Sequence, residues 1–429
     1  MMNPTPQHPQ GLPQPNIAAL LQNDSVKFDM GEVGKFISTA GSQDKGVVDF
    51  LNWVFPYAAH EKASDIHFSD CENGCRVRFR QRNMKLTTKW LLNRTAAQVV
   101  RTKICNKCKL NAVDIENSQD GSFFFIDDER EEMIDVRVGV MPTKFGSNIV
   151  CRILDQSNSG RSLDTVYMPD DVREVVMRVL AQEQGMVIVS GPTGSGKTST
   201  LYSFLNHLNT PEKNIVTAED PVEYRLPGAN QVNVHRHYRP FDKVLREFLR
   251  QDPDIILVGE IRDKETAETA VTAANTGHLL LSTIHANDAL ATVIRLINLG
   301  VERFSLADAF SAFFAQRLLN KLCPDCCVAK RLTAEEKQAL KTRFPAETYF
   351  IKGVGCETCE QTGLSGRIPV MEFAVKDEEV RQAILQGNFE RLEQAMLAQP
   401  QYKTLVEAGL QMSEKGLIDF NDANALGVR

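Results

Sequence analysis

The residues best suited to chemistry lie in GMVIVSGPTGSGKTSTLYSFL, from Gly185 to Leu205. The apolar run Met186 to Val189 reads as a buried strand. It leads into Gly191, Pro192, Thr193, Gly194, Ser195 and Gly196, and then Lys197, Thr198 and Ser199 open a helical segment. A G-x-x-x-x-G-K-[ST] pattern between strand and helix is that of a phosphate-binding loop. Glycines are required because the backbone must curl until successive N–H groups point inward, and a Cβ would block the approach of phosphate oxygens. The helix N-terminus behind the loop adds the positive end of a dipole. Lys197 is expected to reach the β- and γ-phosphates, and the Thr198 hydroxyl to bind Mg²⁺.

Three more polar clusters follow apolar runs, where ligand sites of open parallel sheets collect. Glu219-Asp220-Pro221-Val222-Glu223 follows Ile215–Ala218, Gly259-Glu260-Ile261-Arg262-Asp263 follows Ile255–Val258, and His285-Ala286-Asn287-Asp288 follows Leu279–Ser282. Glu260 is expected to polarise water and help hold Mg²⁺, or else to cap a helix. Glu219 could orient the same water; an ordinary acid-capped turn is the alternative. His278 and His285 are both candidates for sensing the γ-phosphate, against a structural hydrogen bond.

Cys323-x-x-Cys326 and Cys356-x-x-Cys359 are separated by 29 residues. Two such pairs suit tetrahedral thiolate ligation of Zn²⁺ in a closed structural site, which would help fold a segment with little core of its own. Cys327 could replace Cys326. Cys105-x-x-Cys108 falls in an expected helix with no second pair nearby and reads as neutral, buried cysteine.

These groups need elements to position them, and 429 residues are enough for two or three domains. A 42% apolar, 24% charged composition with net charge −6 is that of a globular protein and argues against a duplex-binding surface. Neither a secretory signal nor an apolar run long enough to span a membrane is evident, so a cytoplasmic chain is expected, with membrane contact through a partner. Residues 1–45 read as a flexible Pro/Gln-rich tail, 46–156 as a small mixed α/β domain, and 157–168 as a linker. Residues 169–322 read as a parallel sheet covered by helices, 323–367 as the cysteine segment, and 368–429 as a helical region. In the small domain CRVRFR and IDVRVGV alternate, leaving Arg76, Arg78, Arg80 and Arg137 on one face, with Arg152 near the end of a third strand. By pattern alone this is a solvated basic face.

Read together, GPTGSGKTSTLY, TAEDPVEYRLPGANQVNV, LRQDPDIILVGEIRDKETAETAVTAANTGHLLLSTIHAND, AQRLLNKLCPDC and GCETCEQTGLSGR resemble the secretion and type IV pilus ATPase superfamily, close to its type II secretion and pilus-assembly branch. Upstream, ASDIHF, VRFR, QDG and IDVRVGVMPT resemble that family's PAS-like N-terminal domain. The resemblance implies a hexameric RecA-like motor using ATP, Mg²⁺ and Zn²⁺ and working with an inner-membrane platform protein. Nucleic-acid remodelling is conceivable for such a core, but the net charge of −6 disfavours direct nucleic-acid binding. It implies that Arg137 and Arg152 approach the phosphates across a domain interface, with Arg78 and Arg80 a further basic pair. Departures are Gln81-Arg82-Asn83 in place of an Asp-Gly turn and Ser122 in place of an arginine. With about 60 residues before ASDIHF, the larger docking domain of many assembly ATPases is expected to be missing. The cysteine motif points to assembly rather than retraction. A retraction or conjugative-transfer motor, or a nucleotide-gated scaffold, are the competing expectations.

Overall fold

The computed structural model describes residues 43–427, apart from 62, 81–85, 115, 128–131, 155–161, 236–237 and 341–345. The Gln81-Arg82-Asn83 turn, nearly all of the expected tail and part of the expected linker lie outside the described residues. The chain divides into two compact units, Met1–Ser157 and Asn158–Arg429.

In the first unit α1 (Gln43–His60) precedes β1 (Asp65–Cys71), β2 (Gly74–Arg80) and β3 (Leu86–Leu92), then α2 (Arg94–Lys107), β4 (Gln119–Asp127), β5 (Glu132–Thr143) and β6 (Gly146–Leu154). The strands form one antiparallel sheet ordered β3-β2-β1-β6-β5-β4. Their alternation sorts the side chains, because successive residues of a strand face opposite ways. Val77, Phe79, Ile66, Phe68, Val136 and Val138 are buried in one cluster with Phe50 and Val54 of α1 and Val100 and Ile104 of α2. The other face carries the arginines. Its register sets Ser122, Arg137, Arg152, Asp65 and Arg80 opposite one another in a single row across five strands.

The second unit begins with α3 (Asp170–Leu180), β7 (Gly185–Ser190), α4 (Lys197–Leu208), β8 (Ile215–Glu219), β9 (Asn230–Asn233), α5 (Phe241–Phe248), β10 (Ile255–Val258) and α6 (Lys264–Asn275). It continues through β11 (Leu279–Ile284), α7 (Ala289–Asn298), α8 (Arg303–Ala309), β12 (Phe310–Leu322), β13 (Val328–Arg331), α9 (Ala334–Ala339), β14 (Thr348–Ile351) and β15 (Leu364–Val375). Four helices close it: α10 (Glu378–Gln386), α11 (Phe389–Ala398), α12 (Leu405–Glu414) and α13 (Phe420–Ala425). Seven strands are ordered β15-β12-β7-β11-β10-β8-β9, and every neighbouring pair is parallel except β12 with β15.

Both faces of this sheet are covered, so its central strands are buried on both sides and mostly apolar. Met186, Ile188, Ile256, Val258 and Leu280 pack beneath α5, α6 and α8. Their neighbours Val187, Val189, Leu257, Leu279 and Leu281 pack on the opposite side with residues of α3 and α4. The four apolar runs expected as strands form the centre. Three further strands of this sheet, β9, β12 and β15, were not expected, nor was the β13–β14 pair in the cysteine segment; β15 runs from that segment into the region read as helical. Phe310 to Ala315 is a buried run without period, and such a run does not distinguish strand from helix.

Candidate functional site

The phosphate loop takes the shape its glycines permit. Gly191, Gly194 and Gly196 have φ of 147°, 79° and 86°, conformations that side-chain-bearing residues avoid. A Cβ on Gly191 would lie 2.5 Å from the carbonyl oxygen of Gln316, and one on Gly196 would lie 2.9 Å from Gln316 Nε2. Gln316, on the neighbouring strand β12, grips the loop from below. Its Nε2 donates to the carbonyl of Ser195 at 2.7 Å, and its Oε1 accepts from the Thr200 hydroxyl at 2.8 Å. Lys197 Nζ donates to the carbonyls of Gly191 and Pro192 at 2.9 and 3.0 Å. Burial pulls the Lys197 ammonium below the usual lysine range, with Glu260 and Glu223 opposing the shift. The loop from Thr193 to Ser199 borders a cleft of about 460 Å³.

Glu219, Glu260 and His285 line the same cleft. Glu260 is fixed by its neighbours in sequence: Gly259 N–H donates to the Ala218 carbonyl at 2.8 Å, and Ile261 N–H to the Thr283 carbonyl at 2.9 Å. Strands β8 and β11 thus hold the segment from both sides. The Glu260 carboxylate pairs with Arg262, and its Oε2 lies 3.8 Å from His285 Nε2. Glu219, the last residue of β8, is buried and accepts from the hydroxyls of Thr217 at 2.7 Å and Tyr202 at 2.9 Å. Burial raises its carboxyl above the ordinary range against those donors. His278 is elsewhere. It immediately precedes β11, at the end opposite His285, with Nδ1 3.0 Å from the Ala273 carbonyl. A strand of six residues separates its ends by roughly 20 Å, so of the two histidines the structural reading holds for His278.

Arg137 and Arg152 stand side by side on β5 and β6 of the first unit. Arg152 Nε donates to Asp65 Oδ1 at 3.1 Å, and the Arg80 guanidinium lies 4.0 Å from the same carboxylate. Asp65 is buried, whereas the Arg152 side chain is 64% exposed. One carboxylate therefore orients an arginine whose head remains open to solvent.

Two residues with a claim on the cleft were not singled out from the sequence, although they fall within AQRLLNKLCPDC and GCETCEQTGLSGR. Gln316 supports the loop only because β12 pairs with β7. Arg367 lines the cleft because β15 folds back on β12, opposite Asn320. Both contacts come from strand pairing over long separations, so the motifs hold the residues without showing what they touch.

The cysteine segment is an insert between β12 and β15. Cys323, Cys326, Cys356 and Cys359 present sulfurs that all lie within 4.8 Å of one another. The distances are 3.7 Å for Cys323–Cys356, 3.9 Å for Cys326–Cys359 and 3.7 Å for Cys356–Cys359. A tetrahedron with Zn–S bonds of about 2.3 Å has edges of about 3.8 Å, so the set fits that ion. Cys327 Sγ instead faces the Pro324 carbonyl, which leaves Cys326 as the fourth member. Burial would raise the Cys359 thiol, but N–H groups of Cys356 and Gly363 hold it at about 6. Burial and the neighbouring thiols push Cys326 up to about 12 and Cys323 is also raised, so the first thiolate belongs to Cys359 and those two resist ionising beside it. Cys105 and Cys108 lie at the end of α2; burial pushes the first thiol up and the second to about 12, as neutral cysteine requires.

A parallel sheet with a glycine-rich loop after β7, an acidic residue after β10 and a histidine after β11 defines a nucleotide-binding core of the RecA-like P-loop class. The family described as "Type II/IV secretion system protein" matches residues 41–425, and the chain belongs to it. Among curated relatives, the type IV pilus assembly ATPase PilB of Pseudomonas aeruginosa is 38% identical over 423 residues, covering 95% of this chain and 73% of that protein. The putative type II secretion system protein E of Escherichia coli is 38% identical over 366 residues, covering 85% and 73%. The fold is shared with the pilus retraction motor PilT with bound ADP (24% identical, TM-score 0.65, covering 88% of this chain and 97% of that one). It is shared also with the Legionella pneumophila ATPase DotB (21% identical, TM-score 0.62, covering 88% and 95%). No helix among the described residues is long and apolar enough to cross a membrane.

Proposed function

We propose that this chain is a cytoplasmic Mg-ATP hydrolysing motor of pilus assembly or type II-like secretion, acting as a hexamer with an inner-membrane platform protein. The observation that carries the reading is the convergence of Lys197, Thr198, Glu260 and His285 on one cleft at the carboxyl ends of β7, β10 and β11. The loop backbone from Gly191 to Gly196 and the Lys197 ammonium bind the phosphates, and the Thr198 hydroxyl holds the metal. Mg²⁺, when bound, supplies charge neutralisation on the phosphate oxygens. Glu260 polarises the attacking water, and Glu219, already anchored by Thr217 and Tyr202, orients it. His285, beside Glu260, senses the γ-phosphate. Arg137 and Arg152 deliver positive charge to the transferred phosphoryl, and the four cysteines hold zinc. Assembly is favoured over retraction by the four-cysteine cluster and by the names of the relatives near 38% identity.

The test is Glu260→Gln. Nucleotide affinity should remain within about twofold of wild type while steady-state phosphate release falls by at least about 10². An unchanged release rate would remove Glu260 from the chemistry. Negligible release by the wild-type assembly would instead favour a nucleotide-gated scaffold.

A further inference from the structure

Glu372, within β15, is 3% exposed and has no part in the nucleotide chemistry proposed above. Its Oε1 accepts the N–H of Ala289 at 2.8 Å and the Tyr402 hydroxyl at 2.7 Å; its Oε2 accepts the N–H of Leu405 at 3.2 Å. Ala289 opens α7, directly after the His285–Asp288 loop. Leu405 opens α12, in the carboxyl-terminal helical region. One buried carboxylate therefore receives the first N–H of two helices that belong to different parts of the unit.

Neither helix needs this group as its cap. Asp288 caps α7 by accepting from Ala291 N–H at 2.6 Å. Thr404 and Glu407 form a reciprocal capping box on α12. Burying a carboxylate is costly unless donors surround it. Burial raises the Glu372 carboxyl to about 7, with Asp288 adding to the shift and the three donors opposing it. What Glu372 adds beyond the two caps is a link between the helices.

The link continues to the nucleotide loops. Glu372 pairs across the sheet with Ala315, followed on β12 by Gln316 and Arg317. Arg317, 8% exposed, donates from Nη2 to the Asn287 carbonyl and from Nη1 to the Gln316 carbonyl, each at 3.0 Å. The histidine loop is thus held by Arg317 at Asn287 and by Glu372 at Ala289. Gln316 holds the phosphate loop from the same strand.

We infer that Glu372 is a positioning residue through which the carboxyl-terminal helices set the place of the His285 loop, and so the approach of His285 to Glu260. The inference rests on the reading of His285 and Glu260 as hydrolytic groups. It is tested on the full chain by a double-mutant cycle of Glu372→Gln with His285→Ala, measuring phosphate release and nucleotide affinity. Glu372→Gln should lower kcat about tenfold with affinity within about twofold, and the double variant should be no slower than His285→Ala alone. Tyr402→Phe, which keeps both backbone donors, should cause a smaller loss that His285→Ala likewise absorbs; it carries the cycle should the glutamine variant not fold. Losses that multiply in the double variant, or Glu372 and Tyr402 variants with wild-type kcat, overturn the inference. A wild-type kcat for His285→Ala itself overturns the reading of His285 and this inference with it.

Discussion

A carboxylate's role in this protein is set by what has already claimed its lone pairs. Glu260 keeps one oxygen within reach of His285 and borders the cleft, whereas Glu219 is tied to Thr217 and Tyr202, and Glu372 to Ala289, Tyr402 and Leu405. The buried acids have a consequence for pH. Native Glu372 holds its proton up to about 7, while the unfolded chain releases it near the ordinary value of 4.5. The native state therefore binds more protons between those values, so the contribution is complete below pH 4.5 and is lost as pH rises through about 7. Between pH 5 and pH 8 the wild type should lose stability relative to Glu372→Gln, by roughly 3 kcal/mol at most. Denaturant unfolding of both at the two pH values checks this, and a constant difference between them would contradict it. At this scale the sequence was informative wherever chemistry is local. The run from Gly191 to Ser199 carries a phosphate-binding pattern in full, and Glu260 and His285 follow apolar strands that bring them to the same cleft. The roles of Gln316, Arg317, Arg367 and Glu372 are invisible in the same reading, even where a motif contains the residue, because each has a partner far away in the chain.

Elements were legible in proportion to their periodicity. The alternating strands of the first unit and the apolar runs at the centre of the second are marked by one or two covered faces. β12 and β15 are not, since the first half of β12 is uniformly buried and β15 follows a cysteine-rich insert that dominates its surroundings. Their pairing changes the meaning of the insert. Cys323 directly follows β12, and Cys356 and Cys359 precede β15, so a metal would clamp the open end of an antiparallel pair. Removing it with a chelator should raise hydrogen exchange across residues 323–366 while leaving β7, β10 and β11 protected. Bound zinc measured at one equivalent per chain, lost together with that protection, is the expected result. Unchanged exchange after metal removal would leave the cysteines without this structural role.

For the whole molecule, the proposed function draws on both units. The first unit supplies Arg137 and Arg152 on a polar sheet face, and the second supplies the phosphate loop. Replacing both arginines with alanine should leave nucleotide affinity nearly intact and lower turnover by roughly 10³ or more. If the arginines act on a neighbouring copy, mixing that variant with Glu260→Gln should recover part of the activity that neither has alone. A double-arginine variant with wild-type turnover would confine catalysis to the second unit. The expectation of such cooperation comes from the resemblance alone. Local pattern does not supply it, since arginines on alternate positions of a strand read equally well as a wetted surface.

The row formed by Ser122, Arg137, Arg152, Asp65 and Arg80 also obeys an odd–even rule. Adding one residue within β6 ahead of Cys151 would turn the Arg152 guanidinium toward the apolar layer and expel Cys151 and Ile153 into water. Adding two would restore every orientation but carry Arg152 two places along the strand, away from Asp65 and Arg137. Parity decides which layer a side chain enters and register decides which partner it meets, and the single insertion should be the more damaging of the pair.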